Sequence, residues 1–287
     1  MKILLGCDVD PALPHQLTRP PTTDIWECLE NIARLLDAAH GELPPVTWLI
    51  RSDESIRFST DRFDSGYLVQ EPLWQSLAAG GHELGWHFHL MSYDAARGSF
   101  GFDADAAWLT AACDALRAHF EVRATRTGWD YGSTALFRRL DALGIAVDFS
   151  ALPGHIGWQR AGDDRLCVDW SRSLDVPYHP AADDYQRPGN LGLLEVPIAH
   201  FRNSPIDMMM RAAWRLWNGS LSFAGMRHKT RMLTQPWDGL PEPGGPAWAF
   251  YFHPSDLHPE GIACCLENIN RLKGLREAEF VTASGML

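Results

Sequence analysis

The sequence predicts an α/β fold in the form of a closed or nearly closed barrel of seven or eight βα units. Short apolar runs alternate with amphipathic helical patterns from one end of the chain to the other, which is typical of strands and helices arranged around a parallel sheet. No internal repeat or low-complexity segment interrupts this alternation. We therefore expect one domain over residues 1–287, a length that suits a single large core.

In the first half of the chain, predicted strands and helices follow one another directly. Asp24 is a suitable N-cap, and Ile25, Leu29, Ile32 and Leu35 follow it at helical spacing. The predicted strands lie at residues 2–8, 46–50, 82–89, 124–129 and 145–149. The predicted helices lie at residues 24–41, 72–79, 103–120 and 133–143, and several of them end at a glycine.

In the second half of the chain, regular elements alternate with long irregular stretches. Strands are predicted at residues 193–196, 247–252 and about 280–282, and helices at 205–217 and 259–273. Residues 150–192 and 218–246 are rich in Pro and Gly, so we expect long loops or insertions over the site. The helix at 205–217 is apolar nearly all round. It is either a buried barrel helix or an interfacial helix that contacts a membrane or a lipid-linked sugar.

The overall charge and composition exclude some functions and favour others. The 36 acidic and 25 basic side chains give a net charge of −11, which disfavours nucleic acid as a partner because phosphate binding needs clustered Lys and Arg. We find no signal peptide and no apolar stretch long enough to cross a membrane, so we expect a cytoplasmic protein. The six cysteines show no regular spacing and are expected to be reduced, buried thiols.

Polar side chains lie at the ends of four of the predicted strands, where a parallel barrel gathers its reactive groups. The segments are Cys7-Asp8-Val9-Asp10, His87-Phe88-His89, Arg126 to Tyr131, and His253-Pro254-Ser255-Asp256. Imidazole and carboxylate together suit zinc and its neighbours rather than calcium or magnesium. Because Asp8 and Asp10 are two residues apart, they face the same way on an extended chain. One can bind a metal while the other accepts a proton from a water molecule.

The order of these segments resembles the polysaccharide deacetylase (NodB-homology) family. The matching segments, which span residues 3–254, are Cys7-Asp8-Val9-Asp10, Gly81-His82-Glu83-Leu84-Gly85-Trp86-His87, Arg126-Thr127-Gly128-Trp129, Leu143-Gly144-Ile145 with Asp148, Leu194-Glu195-Val196-Pro197, and Phe252-His253-Pro254. The resemblance implies a distorted (β/α)7–8 barrel. It also implies metal-dependent removal of an acyl group, usually N-acetyl, from an amino sugar.

The resemblance assigns a role to each matching residue. It implies that Asp8 is the general base, Asp10 a metal ligand, His87 the first metal histidine, Arg126 the arginine that contacts the base, and His253 the general acid. The residues at the end of the fourth predicted strand, Trp129, Asp130 and Tyr131, are expected to bind substrate.

The chain departs from the family pattern at the second metal histidine. The family has this histidine four residues after the first, where this chain has Met91, a thioether that hard divalent metals bind poorly. We expect His89 to replace it, because a spacing of two on a strand directs both imidazoles to one face. His82 is the competing candidate, but it lies at the start of the strand, about 16 Å from His87. Asp148 and Glu195 are both candidates for the carboxylate that orients the acid.

We therefore expect a metal-dependent hydrolase of C–N bonds other than peptide bonds. Its substrate would be an acetylated or formylated amino sugar, either a small molecule or a lipid-linked precursor, and its metal is most simply Zn²⁺. Two alternatives stay open. One is a non-catalytic carbohydrate-binding or regulatory barrel that has lost the metal, and the other is a metal-dependent hydrolase of a non-sugar amide. The oligomeric state is not determined by the sequence.

Overall fold

The protein is described by a computed structural model that covers residues 1–12, 25–161, 164–202, 205–206, 208–209, 213, 228–229, 232–241 and 245–287. Within these residues the strands are β1 (Lys2–Val9), β2 (Thr47–Arg51), β3 (Glu83–Phe88), β4 (Met91–Asp94), β5 (Ser99–Phe102), β6 (Ala124–Thr127), β7 (Val147–Asp148), β8 (Ile156–Ala161), β9 (Asp164–Asp169), β10 (Pro180–Ala181), β11 (Asp184–Pro188), β12 (Leu194–Glu195), β13 (Phe201–Arg202), β14 (His228–Lys229), β15 (Ala247–Phe252) and β16 (Glu279–Val281). The α-helices are α1 (Glu30–Ala38), α2 (Glu54–Thr60), α3 (Ser65–Leu68), α4 (Glu71–Ala79), α5 (Leu109–Arg117), α6 (Thr134–Ala142) and α7 (Pro259–Lys273).

A curled sheet of parallel strands forms the centre of the described structure. Its strand order is β12-β7-β6-β3-β2-β1-β15, and β16 pairs with the first residues of β1. A parallel bridge between Ile198, just after β12, and Ala249 of β15 brings the two ends of the sheet together. The strands are buried almost throughout, as in β1, where all residues after Lys2 are buried, because parallel sheets are covered on both faces. The prediction of a nearly closed βα barrel is confirmed.

The helices that flank the sheet form where apolar side chains recur every three or four residues. In α7, which has the predicted bounds, Cys265, Ile269 and Leu272 form the buried stripe, and Pro259 stands in the first turn. In α6, the Ser133 hydroxyl accepts the N–H of Leu136 at 3.2 Å and caps the helix. These helices position the strands, and the strands in turn carry the polar residues at their carboxyl ends.

Several predicted boundaries are wrong, and at the start of α5 the reason is that local side-chain hydrogen bonds override the apolar pattern. Residues 103–108 form a turn rather than the first part of α5, since the Asp103 carboxylate accepts the N–H groups of Asp105 and Ala106 at 3.0 and 2.9 Å. The connection after β2 contains α2 and α3. Residues 150–192, predicted as loops, contain the antiparallel hairpins β8–β9 and β10–β11.

Some further predictions are corrected or fall outside the described residues. All six cysteines are free, but Cys167 is exposed, so the prediction that the thiols are all buried is wrong. Asp24, most of the predicted helix 205–217 and much of the segment 218–246 lie outside the described residues. In the part of the chain that the structure describes, no helix is long and apolar enough to cross a membrane.

Candidate metal centre and active site

Three predicted ligands converge at the carboxyl ends of β1 and β3. Asp10 lies just after β1, His87 is within β3, and His89 follows the end of β3 by one residue. The two Nε2 atoms are 3.1 Å apart, and Asp10 Oδ1 lies 3.5 Å from Nε2 of His87 and 3.6 Å from Nε2 of His89. All three side chains are buried. These residues form a compact group that could hold a metal ion.

The dimensions of this triangle fit a zinc-like ion. Tetrahedral bonds of about 2.0–2.2 Å separate neighbouring ligand atoms by about 3.3–3.6 Å, and the observed separations are 3.1, 3.5 and 3.6 Å. The buried charges fit as well. Asp10 and Asp53 pair with Arg51, and Asp8 and Asp130 pair with Arg126. With every group in its usual ionised form, this cluster carries two negative charges, which a divalent cation would neutralise.

Both imidazoles are held in the neutral form that a metal ligand requires. Burial lowers the pKa of His87 to about 3 and also lowers the pKa of His89. His87 Nδ1 is 2.7 Å from the carbonyl oxygen of Arg126, which can only accept a hydrogen bond. The proton of His87 is therefore on Nδ1, and the lone pair on Nε2 faces the centre of the triangle.

The pose of His89 depends on a close contact with the loop after β6. A Cβ on Gly128 would lie 2.3 Å from the His89 ring, so only glycine fits there. The Trp129 ring meets the His89 ring edge-on, with centroids 4.4 Å apart. Trp129 and Asp130 have φ values of 58° and 55°, which are unfavourable for side-chain-bearing residues. The Trp170 indole N–H donates to the Asp130 carbonyl at 2.6 Å and supports this turn.

Asp8, the predicted base, lies beside the metal group. Its Oδ2 accepts a hydrogen bond from Arg126, and its Oδ1 is 4.0 Å from His87 Nδ1. Oδ1 is buried and has no hydrogen-bond partner among the residues that the structure describes. Arg126 also donates to Asp130 and stacks over the Tyr251 ring at 3.7 Å. The arginine therefore fixes the orientation of Asp8 through Oδ2.

His253, the predicted acid, follows β15 on the other side of Asp8. Its Nε2 lies 3.7 Å from Asp8 Oδ2, and its Nδ1 lies 2.8 Å from Asp256 Oδ2. The orienting carboxylate is therefore Asp256, and neither of the two candidates from the sequence is observed in this position. A short 3-10 helix at Pro254–Asp256 brings a residue three positions away back to the histidine. The spacing of His253 and Asp256 was visible in the sequence, but this turn was not.

Asp148 and Glu195, the two candidates considered for that role, instead face each other on the neighbouring strands β7 and β12. Both are fully buried. Asp148 Oδ1 accepts the Ser150 N–H at 3.0 Å, and Glu195 Oε1 accepts the Ala151 N–H at 2.7 Å. Burial raises the pKa of Asp148 to about 6 and, together with the neighbouring Asp148 charge, raises the pKa of Glu195 well above its usual value. Burial beside a second carboxyl group therefore favours a proton held by this pair.

Two residues that the sequence analysis missed complete the surroundings of the metal group. Arg51, the last residue of β2, donates to Asp10 Oδ1 at 3.0 Å and to Asp53 Oδ2 at 2.7 Å. Asp53 Oδ2 also accepts the backbone N–H of His89 at 2.9 Å. The sequence signal is weak, because an Arg-Ser-Asp segment before a helix also fits an ordinary N-cap.

The structure also places the remaining candidates. His82 accepts the Val46 N–H at 3.1 Å through Nδ1 at the opposite end of β3, and it is not part of the metal group. Met91 is buried at the start of β4. Of the predicted substrate-binding residues, Asp130 is buried against Arg126, and Trp129 and Tyr131 are half-buried. The Tyr131 ring packs on Phe102 with centroids 5.1 Å apart.

Comparisons with known proteins agree with the fold. No protein-family model matches the sequence, and no curated protein does. Among solved structures, the chain is similar to one described as a "putative polysaccharide deacetylase" from Mycobacterium smegmatis. The match has a TM-score of 0.57 at 17% sequence identity and covers 99% of this chain and 88% of the other. The two proteins therefore share a fold over almost the whole chain.

Proposed function

We propose that the protein is a metal-dependent hydrolase that removes an N-acyl group, acetyl or formyl, from an amino sugar or a sugar-containing precursor. One observation carries this proposal: a buried Asp-His-His triangle with metal-like dimensions lies directly beside an arginine-held carboxylate and a carboxylate-held histidine. The fold shared with the M. smegmatis protein supports the proposal, because that protein's description names the same class of reaction.

Asp10, His87 and His89 would hold the ion. Two imidazoles and one carboxylate favour Zn²⁺, and the set leaves coordination positions open. When bound, such an ion polarises an acyl carbonyl and lowers the pKa of a water molecule. The neutral imidazoles and the ionised Asp10, whose pKa is lowered by the charge of Arg51 against the opposing effect of burial, provide this set without a further proton loss.

Asp8 would act as the general base. Its unpartnered Oδ1 can accept a proton from the attacking water, because Arg126 occupies only Oδ2. The arginine favours the ionised carboxylate and restricts its rotation, so proton transfer needs little reorganisation. Arg126 in turn is held by Asp130 and by stacking on Tyr251.

His253 would act as the general acid. The Asp256 carboxylate accepts a hydrogen bond from the Nδ1–H group. With both ring nitrogens protonated, the Nε2–H group would donate its proton to the leaving nitrogen. The His253 side chain is 26% exposed, whereas Asp8 is 1% exposed. The acid is therefore the more solvent-accessible of the two groups.

The experiment that tests this proposal measures three products. Metal-stripped protein and protein reloaded with Zn²⁺ are incubated with N-acetyl and N-formyl hexosamines, free and lipid-linked, and acetate, formate and ammonia are quantified. We expect release of the carboxylic acid with one equivalent of free amine, only in the reloaded protein. Activity that is the same without metal would contradict the proposal. Ammonia without a carboxylic acid would indicate a different amide chemistry.

A further inference from the structure

Two metal ligands are connected to each other through residues that bind no metal. Arg51 Nη1 donates to Asp10 Oδ1 at 3.0 Å, and Arg51 Nε donates to Asp53 Oδ2 at 2.7 Å. The same Asp53 oxygen accepts the His89 N–H at 2.9 Å. A continuous path of hydrogen bonds therefore runs from the side chain of Asp10 to the backbone of His89.

This path is buried and tied to the fold. Arg51, Asp53 and Ser55 have no solvent-exposed surface. The second oxygen of Asp53 caps α2 by accepting the N–H groups of Ser55 and Ile56 at 3.0 and 3.1 Å, and Ser55 Oγ accepts from Arg51 Nη2 at 2.9 Å. Each hydrogen bond to a charged group in such a place is strong and directional. The start of α2 is thus a rigid support behind the metal group.

His89 needs such support because of its position. It lies one residue beyond β3, which ends at Phe88, so its backbone is not part of the β3 ladder. The chain turns there, with the Met91 N–H donating to the His89 carbonyl at 2.8 Å. The carboxylate of Asp53 takes the place of a strand partner for the His89 N–H. A histidine two residues after His87 can therefore point its Nε2 at the same place as that of His87.

We propose that Arg51 and Asp53 are positioning residues that hold Asp10 and His89 in one metal-binding geometry. This inference rests on the metal site of the proposed function, and it does not depend on the substrate. Asp53 fixes the second histidine through its backbone, and Arg51 fixes the carboxylate of Asp10 through Oδ1. Outer-shell partners of this kind contribute about 10–100-fold to metal affinity.

The test compares Zn²⁺ affinity in the wild type, Asp53→Asn and Asp64→Asn by calorimetric titration. An amide at position 53 cannot satisfy both sets of donors, because its NH₂ group must face either the helix cap or the pair formed by Arg51 and the His89 N–H. Asp64 is the matched control: it precedes α3 and pairs with Arg62 and His119, at 2.9 and 2.8 Å. None of these control residues belongs to the metal group.

We expect Asp53→Asn to weaken Zn²⁺ binding about 10–100-fold and Asp64→Asn to leave it unchanged. The visible absorption of the Co²⁺-loaded protein, which reports ligand geometry, should change only in Asp53→Asn. A second variant, Asp53→Ser, keeps a good helix cap but cannot reach the His89 N–H, and it should show the same loss if Asp53→Asn does not fold.

Three results would overturn the inference: wild-type affinity and Co²⁺ spectrum in both Asp53 variants, an equal loss in Asp64→Asn, or a wild-type protein that binds neither ion. The last would also remove the proposed function. Loss of Zn²⁺ binding in Asp53→Asn, combined with a wild type that binds Zn²⁺ but releases no carboxylic acid, would refute only the proposed reaction.

Discussion

Two buried arginines at the same edge of the barrel each bridge two aspartates, yet their surroundings differ. The Arg51 cluster contains Asp10 and Asp53 and is tied to a helix cap and to the backbone of His89. The Arg126 cluster contains Asp8 and Asp130. Asp130 lies in a turn with left-handed backbone conformation, and Asp8 is 3.7 Å from the partly exposed His253. The first cluster suits static ligand positioning, and the second suits proton transfer near substrate.

The largest expected effect comes from removing the proposed base, a change that separates proton transfer from ligand positioning. Asp8→Asn should lower kcat by about 10²–10⁴-fold, the contribution of a positioned general base, because an amide cannot accept the proton from water. Zn²⁺ affinity should stay close to that of the wild type, since Asp8 is not part of the metal group. Steady-state kinetics and calorimetry on one preparation check both parts. A variant that keeps its rate would show that Asp8 is not the base.

Removing a proposed ligand from the Arg51 cluster should have the opposite pattern: Zn²⁺ affinity falls first, and activity falls as a consequence. Asp10→Ala deletes one corner of the triangle and leaves Arg51 without one of its two carboxylates. We expect Zn²⁺ affinity to fall by more than about 100-fold, the upper range for outer-shell partners, and activity to fall with occupancy. If the Asp10→Ala variant binds Zn²⁺ as tightly as the wild type does, the assignment of Asp10 as a metal ligand is wrong.

The contact between Gly128, in the turn that carries the Arg126 cluster, and the His89 ring offers a smaller test. Gly128→Ala would place a methyl group 2.3 Å from the His89 ring, and overpacking of this kind typically costs about 1–3 kcal/mol of unfolding free energy. The displaced imidazole should also bind Zn²⁺ more weakly. Gly274→Ala, at the end of α7 with a nearest atom at 3.4 Å, is the control. Denaturant unfolding that cannot distinguish the two variants would contradict the packing argument.

The smallest expected effect concerns the carboxyl pair of β7 and β12, away from the ligands. Folding raises the pKa of Asp148 to about 6 and raises that of Glu195 further above its usual value, so the folded state holds a proton that the unfolded chain releases above about pH 4. The stability from this proton is complete below about pH 4 and is lost as the pH rises through 6 and beyond.

Glu195→Gln tests this expectation, because its amide donates to Asp148 without a titrating proton. The unfolding free energy of the variant should fall less than that of the wild type between about pH 4 and 8, as measured by urea unfolding at each pH. Glu279→Gln, at an exposed position of β16, should follow the wild type. If the unfolding free energies of the wild type and Glu195→Gln change with pH in parallel, the two carboxyl groups do not hold the proposed proton.

The sequence by itself determined the barrel and most of the polar groups at its carboxyl edge. Alternating apolar runs fixed strands such as β15 and helices such as α7, because burial imposes a local period on the chain. His87 and His89, two residues apart, lie in one group with Asp10. Asp8, two residues before Asp10, lies beside this group. These are consequences of local geometry, which a linear pattern records.

Only the tertiary structure decided which groups hold the site in place. Arg51 is 41 residues from Asp10, and Asp53 is 36 from His89; such pairs have no periodic signature in the chain. The pairing of Asp148 with Glu195 likewise depends on which strands become neighbours in the sheet. Asp256 is only three residues from His253, but its role depends on a 3-10 turn that the apolar pattern does not encode. Long-range hydrogen bonds form wherever folding brings donors and acceptors together, so the support of the site is a property of the folded chain.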